Sequence, residues 1–284
     1  MILRTFYKLY YQHRFKKASL ILKIYLLMVI PIKFLINLIY LPKILDLDKS
    51  DNKLKLAKIH KLSELFEYFN SDKGNYFEDQ YVQPSKRSTV KIKAHGYSIF
   101  YEKYFKNLKE KKLNILEIGS FHGNASAALF FYFKNSNLFA GDIYPDLFRY
   151  RSNRIKNFFV NSSEEQSIQE NIINKFQNNF DIIIEDAGHS LKDQIISLFM
   201  LFKKLNQGGL FIIEELDFPE KRKDMNLFNE KPSLKKILIE YKKNKLLLDS
   251  KYIKKKDGIY FTNNIESIEI FQGNFNEIAI LKKK

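Results

Sequence analysis

An α/β fold with a doubly wound parallel sheet is predicted for residues 111–284, on three observations. Apolar runs of strand length alternate with helical patterns from residue 113 onward, the order expected of βαβ units. The run at 113–118 (LNILEI) has no polar face, which suits a strand covered by helices on both sides. The chain closes with two strand-like runs, 267–272 and 277–281, joined by the polar link 273–276. That link reads as a hairpin, so the sheet should end in antiparallel strands.

Taken in order, residues 18–41 form a nearly continuous apolar stretch interrupted by Lys23, Pro31, Lys33 and Asn37. At about 100° per residue the two lysines and Asn37 fall within roughly 80° of one another. The pattern is that of an interfacial or re-entrant helix with a kink at Pro31, or of a helix packed on the domain or on a second subunit. Residues 49–70 place apolar side chains at helical spacing among charges and predict a surface helix. A polar loop follows to residue 93, then a helix over 98–108.

Within the sheet domain the predicted strands are 113–118, 137–143, 158–160, 180–185 and 210–214. Helices are expected over 125–133, 163–176, 191–205 and 233–247, with Gly208 and Gly209 turning the chain into the fifth strand. Ser190 and Asp193 give the S-x-x-D pattern of a helix cap. The resulting division is a basic apolar segment (1–45), a helical lead-in (46–110) and the α/β domain (111–284).

The 284 residues carry a formal charge of +16 and no cysteine. Disulfides, thiolate metal sites and a cysteine nucleophile are thereby excluded. Eight basic residues and no acid lie within residues 1–45, half of the whole excess. The chain is also rich in Lys, Asn, Ile and Phe together, a compositional bias that accounts for part of the excess, so no nucleic-acid partner is inferred; contact with an anionic membrane is expected of residues 1–45 alone. A clean span would carry the domain away from the cytoplasm by the positive-inside rule, and the apolar run is too long for a cleaved leader. The expected location is cytoplasmic, at the inner face of a membrane where residues 1–45 touch one.

The stretch at 113–126 (LNILEIGSFHGNAS) passes from strand to glycine turn to helix, which brings backbone N–H groups and a helix N-terminus beside a ligand. Its glycines, Gly119 and Gly123, follow G-x-x-x-G spacing rather than the G-x-G-x-x-G of dinucleotide sites. An acid at the end of the next strand should meet ribose hydroxyls about 20 residues on, and Asp142 stands there, followed by Ile143. The turn resembles motif I of class I S-adenosylmethionine-dependent methyltransferases. The resemblance implies a Rossmann-like methyltransferase sheet in which Glu117 steadies the loop, Gly119, Ser120 and Gly123 wrap the cofactor, and Asp142 and Ile143 complete its site.

A second informative stretch, 180–190 (FDIIIEDAGHS), ends a buried strand in Glu185 and Asp186 with His189 three residues on. The fifth strand ends in Glu214 and Glu215, and the usual strand order brings that end beside Asp186. Three carboxylates held close together need a cation between them, and an all-oxygen set suits Mg²⁺ better than zinc. Solvated acids at strand ends are the plainer alternative.

The segments SDKG (71–74), HGY (95–97), LEIG (116–119), DIIIEDAGH (181–189) and GGLFIIEE (208–215) occur in an order that resembles the metal-dependent sugar O-methyltransferases of the macrocin and mycinamicin type. That family's D-D-G-S-H motif falls on Asp186 as metal ligand and His189 as general base, and its Glu-Asp pair falls on Glu214 and Glu215 as further ligands. Ala187-Gly188 replaces Gly-Ser, and Glu215 replaces Asp. His95 would line the substrate side; His122 is a loop residue; His13 and His60 receive no role.

The resemblance implies an O-methyltransferase using S-adenosylmethionine and Mg²⁺ on a sugar hydroxyl of a glycan or glycosylated metabolite, with self-association as a further expectation. Two other classes remain open: an NAD-dependent sugar oxidoreductase, and a non-catalytic membrane-associated binding protein on the same scaffold.

Overall fold

The structure, a computed structural model, describes residues 6–7, 14–15, 18–49, 59, 61–78 and 91–284. His13, His60, much of the helix expected over 49–70 and most of the loop leading to residue 93 lie outside them. The elements in chain order are α1 (Leu20–Tyr40), β1 (Leu45–Asp46), α2 (Leu62–Tyr68), β2 (Tyr76–Phe77), β3 (Ile92–Lys93), α3 (Ser98–Phe105), β4 (Asn114–Ile118), α4 (Asn124–Tyr132), β5 (Asn137–Asp142), β6 (Tyr150–Arg151) and β7 (Ile155–Phe159). They continue with α5 (Glu165–Ile168), β8 (Phe180–Glu185), α6 (Leu191–Leu201), β9 (Leu205–Ile213), α7 (Phe218–Lys221), α8 (Leu234–Asn244), α9 (Lys255–Asn264), β10 (Ile265–Gln272) and β11 (Glu277–Lys283).

Seven strands form one sheet in the order β10-β11-β9-β8-β4-β5-β7. β9, β8, β4, β5 and β7 run parallel, whereas β11 is antiparallel to both β9 and β10. The order reverses between β4 and β8, the switch point at which an open α/β sheet leaves a crevice at its carboxyl ends. There β8 ends in Glu185, followed by Asp186, and β4 carries Glu117 one residue before its end.

The unbroken apolar character of the strands follows from cover on both faces. Leu116, Ile118, Ile183, Phe211 and Ile213 pack with Ile195 and Phe199 of α6, Leu238 of α8 and Phe261 of α9. Their alternate neighbours Ile115, Ile182, Ile184, Leu210 and Ile212 pack with Phe66 of α2, Tyr101 of α3 and Leu129 of α4. Each such side chain contributes about 1.5–3 kcal/mol on full burial. The Ser190 cap forms as its pattern predicts, Asp193 N donating to Ser190 Oγ at 3.2 Å.

The lead-in helix is described only over Leu62–Tyr68, where it buries Leu62, Leu65 and Phe66 and leaves Glu64 and Tyr68 exposed, as its amphipathic pattern predicts. Several boundaries differ from the sequence expectation. The third sheet strand starts at Ile155 rather than 158. The helix expected over 163–176 is one α-turn passing into a π-turn at Gln169–Ile173. The fifth strand starts at Leu205, and Gly208 and Gly209 lie inside it, where the register against β8 jumps from Phe180↔Leu205 to Ile182↔Leu210. They make an irregularity in a strand, not a turn before it. α9 (KKDGIYFTNN) was not expected; Gly258 and its aromatic and Asn residues are weak helix formers, and burial of Phe261 against the sheet layer compensates.

α1 runs through Pro31 as one element, capped by Ser19 Oγ, which accepts from Leu22 N at 3.3 Å. It is fastened to the α/β domain by buried Asp146, which meets Lys33 Nζ at 2.9 Å and Asn37 Nδ2 at 3.0 Å. Downstream, β1 pairs in parallel with β6.

Candidate active site

The glycine turn is shaped by what stands behind it. At Gly119 (φ +91°) a Cβ would lie 1.8 Å from the carbonyl oxygen of Asp186, and at Gly123 (φ +84°) it would lie 2.4 Å from the Phe148 ring. Any side chain at Gly119 would therefore force β4 and β8 apart at the switch point. Asp142 ties the turn to the end of β5: its Oδ2 accepts from Phe121 N and its Oδ1 from Tyr144 N, both at 2.7 Å. Glu117 is buried at the end of β4 and accepts a hydrogen bond from Ser126 Oγ on α4. Burial pushes the Glu117 carboxyl up to about 7, against the pull of Lys73 and Ser126.

A cavity of about 640 Å³ opens over this turn, with Glu117, Gly119, Ser120, Asp142 and Ile143 in its wall, a size within the range of small-molecule and cofactor sites. Gly123 lies behind the wall and permits the turn. Asp186, His189, Glu215 and His95 line the same cavity. One chamber thus holds both groups of residues singled out in the sequence.

Ligand atoms of Asp186, His189 and Glu215 all lie within 4.8 Å of one another. His189 Nε2 is 3.7 Å from Asp186 Oδ1, and His189 Nδ1 is 3.5 Å from Glu215 Oε2. Both His189 Nδ1 and Glu215 Oε2 are buried without a hydrogen-bond partner. Two carboxylates and an imidazole with unsatisfied buried atoms fit a divalent cation, since bare oxygens in such a place otherwise carry a desolvation cost. Both His189 (φ +54°) and Glu215 (φ +46°) hold left-handed backbone conformations, uncommon for residues with a Cβ and concentrated at functional sites. Gln194 Nε2 secures the second of these by donating to the Glu215 carbonyl at 2.9 Å.

Glu214, the remaining acid of the expected ligand set, is not among the residues lining the cavity. It is bound by Lys73 Nζ, at 2.9 Å from its Oε2, and by the Tyr101 hydroxyl, which donates to its Oε1. The same Lys73 Nζ donates to Asp186 Oδ2. The cation between Asp186 and Glu214 is therefore an ammonium from the chain itself. Burial opposes its charge, but the two carboxylates hold its pKa well above the ordinary lysine value. Burial raises Asp186 to about 7 and Glu214 to about 8, while burial together with Lys73 lowers His189 to about 3. Burial thus favours the neutral His189 ring, the form able to accept a proton.

Lys73 and Tyr101 were given no part in the sequence reading, although Lys73 lies in the quoted SDKG segment. The signal available was its pairing with HGY. His95 N donates to Asp72 O and Gly96 N to Gly74 O, each at 2.8 Å, and Ser98 N donates to Lys73 O at 3.0 Å. The hairpin link β10–β11 completes the clasp, Asn274 N donating to His95 O at 2.8 Å. His95 Nε2 then stands 3.3 Å from Glu215 Oε1, across that carboxylate from His189. His122 stacks on Phe121 within the turn, centroids 3.9 Å apart.

The chain superposes on the MycE methyltransferase of the mycinamycin biosynthetic pathway, in complex with Mg and SAH, with a TM-score of 0.57 at 19% identity, over 78% of this chain and 54% of that one. The fold is that of a class I methyltransferase. The complex of MycE with Mg, SAH and mycinamycin VI gives 0.54 at 17% identity, over 80% and 55% of the two chains. In sequence the chain is 26% identical over 129 residues to the 8-demethyl-8-alpha-L-rhamnosyl tetracenomycin-C 2'-O-methyltransferase of Streptomyces olivaceus, which is 43% of this chain and 33% of that protein. No family model matches. The chain resembles these sugar O-methyltransferases, and it spans between a third and about half of their length.

Proposed function

We propose that the protein is an S-adenosylmethionine-dependent O-methyltransferase acting on a sugar hydroxyl of a glycan or glycosylated metabolite, with Mg²⁺ as its divalent cation. The observation that carries the reading is the single cavity in which the glycine turn with Asp142 faces Asp186, His189 and Glu215. Relatives named for methylating a rhamnosyl group and for the mycinamycin pathway support the same class of acceptor.

In this reading Asp142 receives the ribose hydroxyls, Ile143 and Ser120 bound the cofactor, and Glu117 stiffens the strand end beneath it. Asp186 and Glu215 hold the cation, and Glu214 holds Lys73. S-adenosylmethionine supplies an activated methyl group, and a cation beside the acceptor makes its hydroxyl more acidic. The neutral His189 ring takes the hydroxyl proton on a ring nitrogen. Enclosure by Asp72, Lys73 and His95, which line the same cavity, aligns the acceptor with the cofactor turn, and alignment is a large share of what an enzyme gives to such a transfer.

Transfer of labelled methyl groups, screened against nucleotide sugars, glycolipids and glycosylated small molecules, tests the proposal. Label on a sugar oxygen supports it. Cofactor uptake with no transfer to any carbohydrate would favour a binding protein on this scaffold, and NAD bound in place of S-adenosylmethionine would favour an oxidoreductase.

A further inference from the structure

The polar stripe of α1 does not face solvent. On a wheel of about 100° per residue, Leu26, Ile30, Lys33 and Asn37 fall within roughly 60°, and this is the side turned inward: Leu26, Ile30 and Asn37 are buried, while Lys33 reaches Asp146. Asp146 itself is fully buried. With Lys33 and Asn37 spent on the domain and Lys23 over the Phe15 ring, the helix presents the rest of its circumference outward. Thirteen large apolar side chains between Leu20 and Tyr40 are exposed, among them Ile21 at 82%, Met28 at 60%, Leu35 at 57% and Ile39 at 74%. A patch of that size on a soluble surface marks an interaction site.

We propose that this face of α1 is a monotopic membrane-docking surface that lies in the plane of an anionic lipid bilayer, with the mouth of the candidate active-site cavity beside the headgroups. Charge selects the occupant. Residues 1–45 hold eight basic residues and no acid; with Lys33 paired to Asp146, the seven others attract anionic headgroups and would repel the same segment of a second copy. The clamp selects the orientation. At 1.5 Å per residue the 21-residue helix is about 32 Å long, barely the roughly 30 Å of a hydrocarbon core. Lys33 and Asn37 lie well inside that length and are fixed to a buried residue of the domain, so the helix cannot enter as a span without breaking the Asp146 contacts. The clamp also sets the membrane near the cavity: Lys33 Nζ lies 5.6 Å from the centre of the Tyr144 ring, and Ile143 and Tyr144 are half-exposed residues of the cavity wall.

The full chain should bind phosphatidylcholine vesicles containing phosphatidylglycerol at least about tenfold more strongly than phosphatidylcholine alone. Ile21→Asp with Leu35→Asp, both at exposed positions, should abolish binding while leaving the circular dichroism spectrum and melting point unchanged. Because the chain has no cysteine, Ile21→Cys, Met28→Cys and Leu35→Cys can each carry a single fluorophore. Equal quenching of all three by shallow lipid-attached quenchers is the expected result. Graded depths would establish a span and overturn the in-plane placement. Absence of vesicle binding, or an oligomer in lipid-free solution that the two aspartates dissolve, would overturn the proposal in favour of a protein partner.

Discussion

The Lys73 ammonium stands 2.9 Å from Glu214 Oε2, and both side chains are almost completely buried, at 2% and 1% exposure. Its other contact is Asp186, so one lysine from the lead-in segment neutralises the ends of two neighbouring strands, β8 and β9. The lead-in is thereby part of the site and not a decoration on the sheet.

Lys73→Met should show this. The substitution keeps side-chain length and leaves two buried carboxylates facing each other without a cation, a loss of about 3–5 kcal/mol for a broken buried pair. Denaturant unfolding should report the largest drop above pH 8, where both carboxyls are ionised beside the lysine in the wild type, and a smaller one at acid pH, where Asp186 and Glu214 take up protons and cease to repel. An unchanged unfolding midpoint above pH 8 would show that the lysine is dispensable to the fold.

Glu117 provides a second pH signature, from a carboxyl outside the Asp186–His189–Glu215 cluster. Its carboxyl is raised from 4.5 to about 7 by burial, so between those values the folded protein binds more protons than the unfolded chain. Stability from this group is fully present below about 4.5 and is lost as pH rises through 7, by up to about 3 kcal/mol. Glu117→Gln should remove that part of the slope and make the cofactor-free protein more stable than wild type at pH 8. Parallel stability-pH curves for the two proteins would contradict the assignment.

The fold was legible because its strands are covered on both faces, and period and composition both report burial. Residues 180–185 matched β8 at both ends, and the hairpin between β10 and β11 was marked by its polar link. The misplaced elements are those in which tertiary contacts override local preference, as in α9 around Phe261 and in the glycines within β9. Within the site, the strand-end acids could be located from strand order alone. Which acid faces which partner could not, because that depends on Lys73, more than a hundred residues away in sequence, entering between Asp186 and Glu214.

Asp142 should carry cofactor affinity. Its two oxygens already hold Phe121 N and Tyr144 N, so Asp142→Ala removes the ribose acceptor and loosens the turn together. A loss of about 1.5–3 kcal/mol, the scale of hydrogen bonds to a charged group, corresponds to roughly tenfold to more than a hundredfold weaker binding of S-adenosylmethionine. Isothermal titration checks this, and unchanged affinity would remove Asp142 from the cofactor site.

The sharpest expectation separates the adjacent acids of β9's end. Glu215 shares a cluster with Asp186 and His189, whereas Glu214 is occupied by Lys73 and Tyr101. Glu215→Gln and Asp186→Asn should therefore abolish Mg²⁺ or Mn²⁺ binding measured by titration calorimetry, and Glu214→Gln should keep it while lowering the melting point. Methyl transfer should stop in excess chelator and return with added metal. His189→Ala should cost 10²- to 10⁴-fold in turnover, the usual range for a lost general base, with cofactor affinity kept; His95→Ala, which leaves the Asp186–His189–Glu215 cluster whole, should cost less. If Glu214→Gln alone loses the metal, the carboxylate bound to Lys73 is the true ligand and the lysine must yield its place when the cation arrives. Turnover indifferent to chelator would instead leave Lys73 as the only cation the reaction needs.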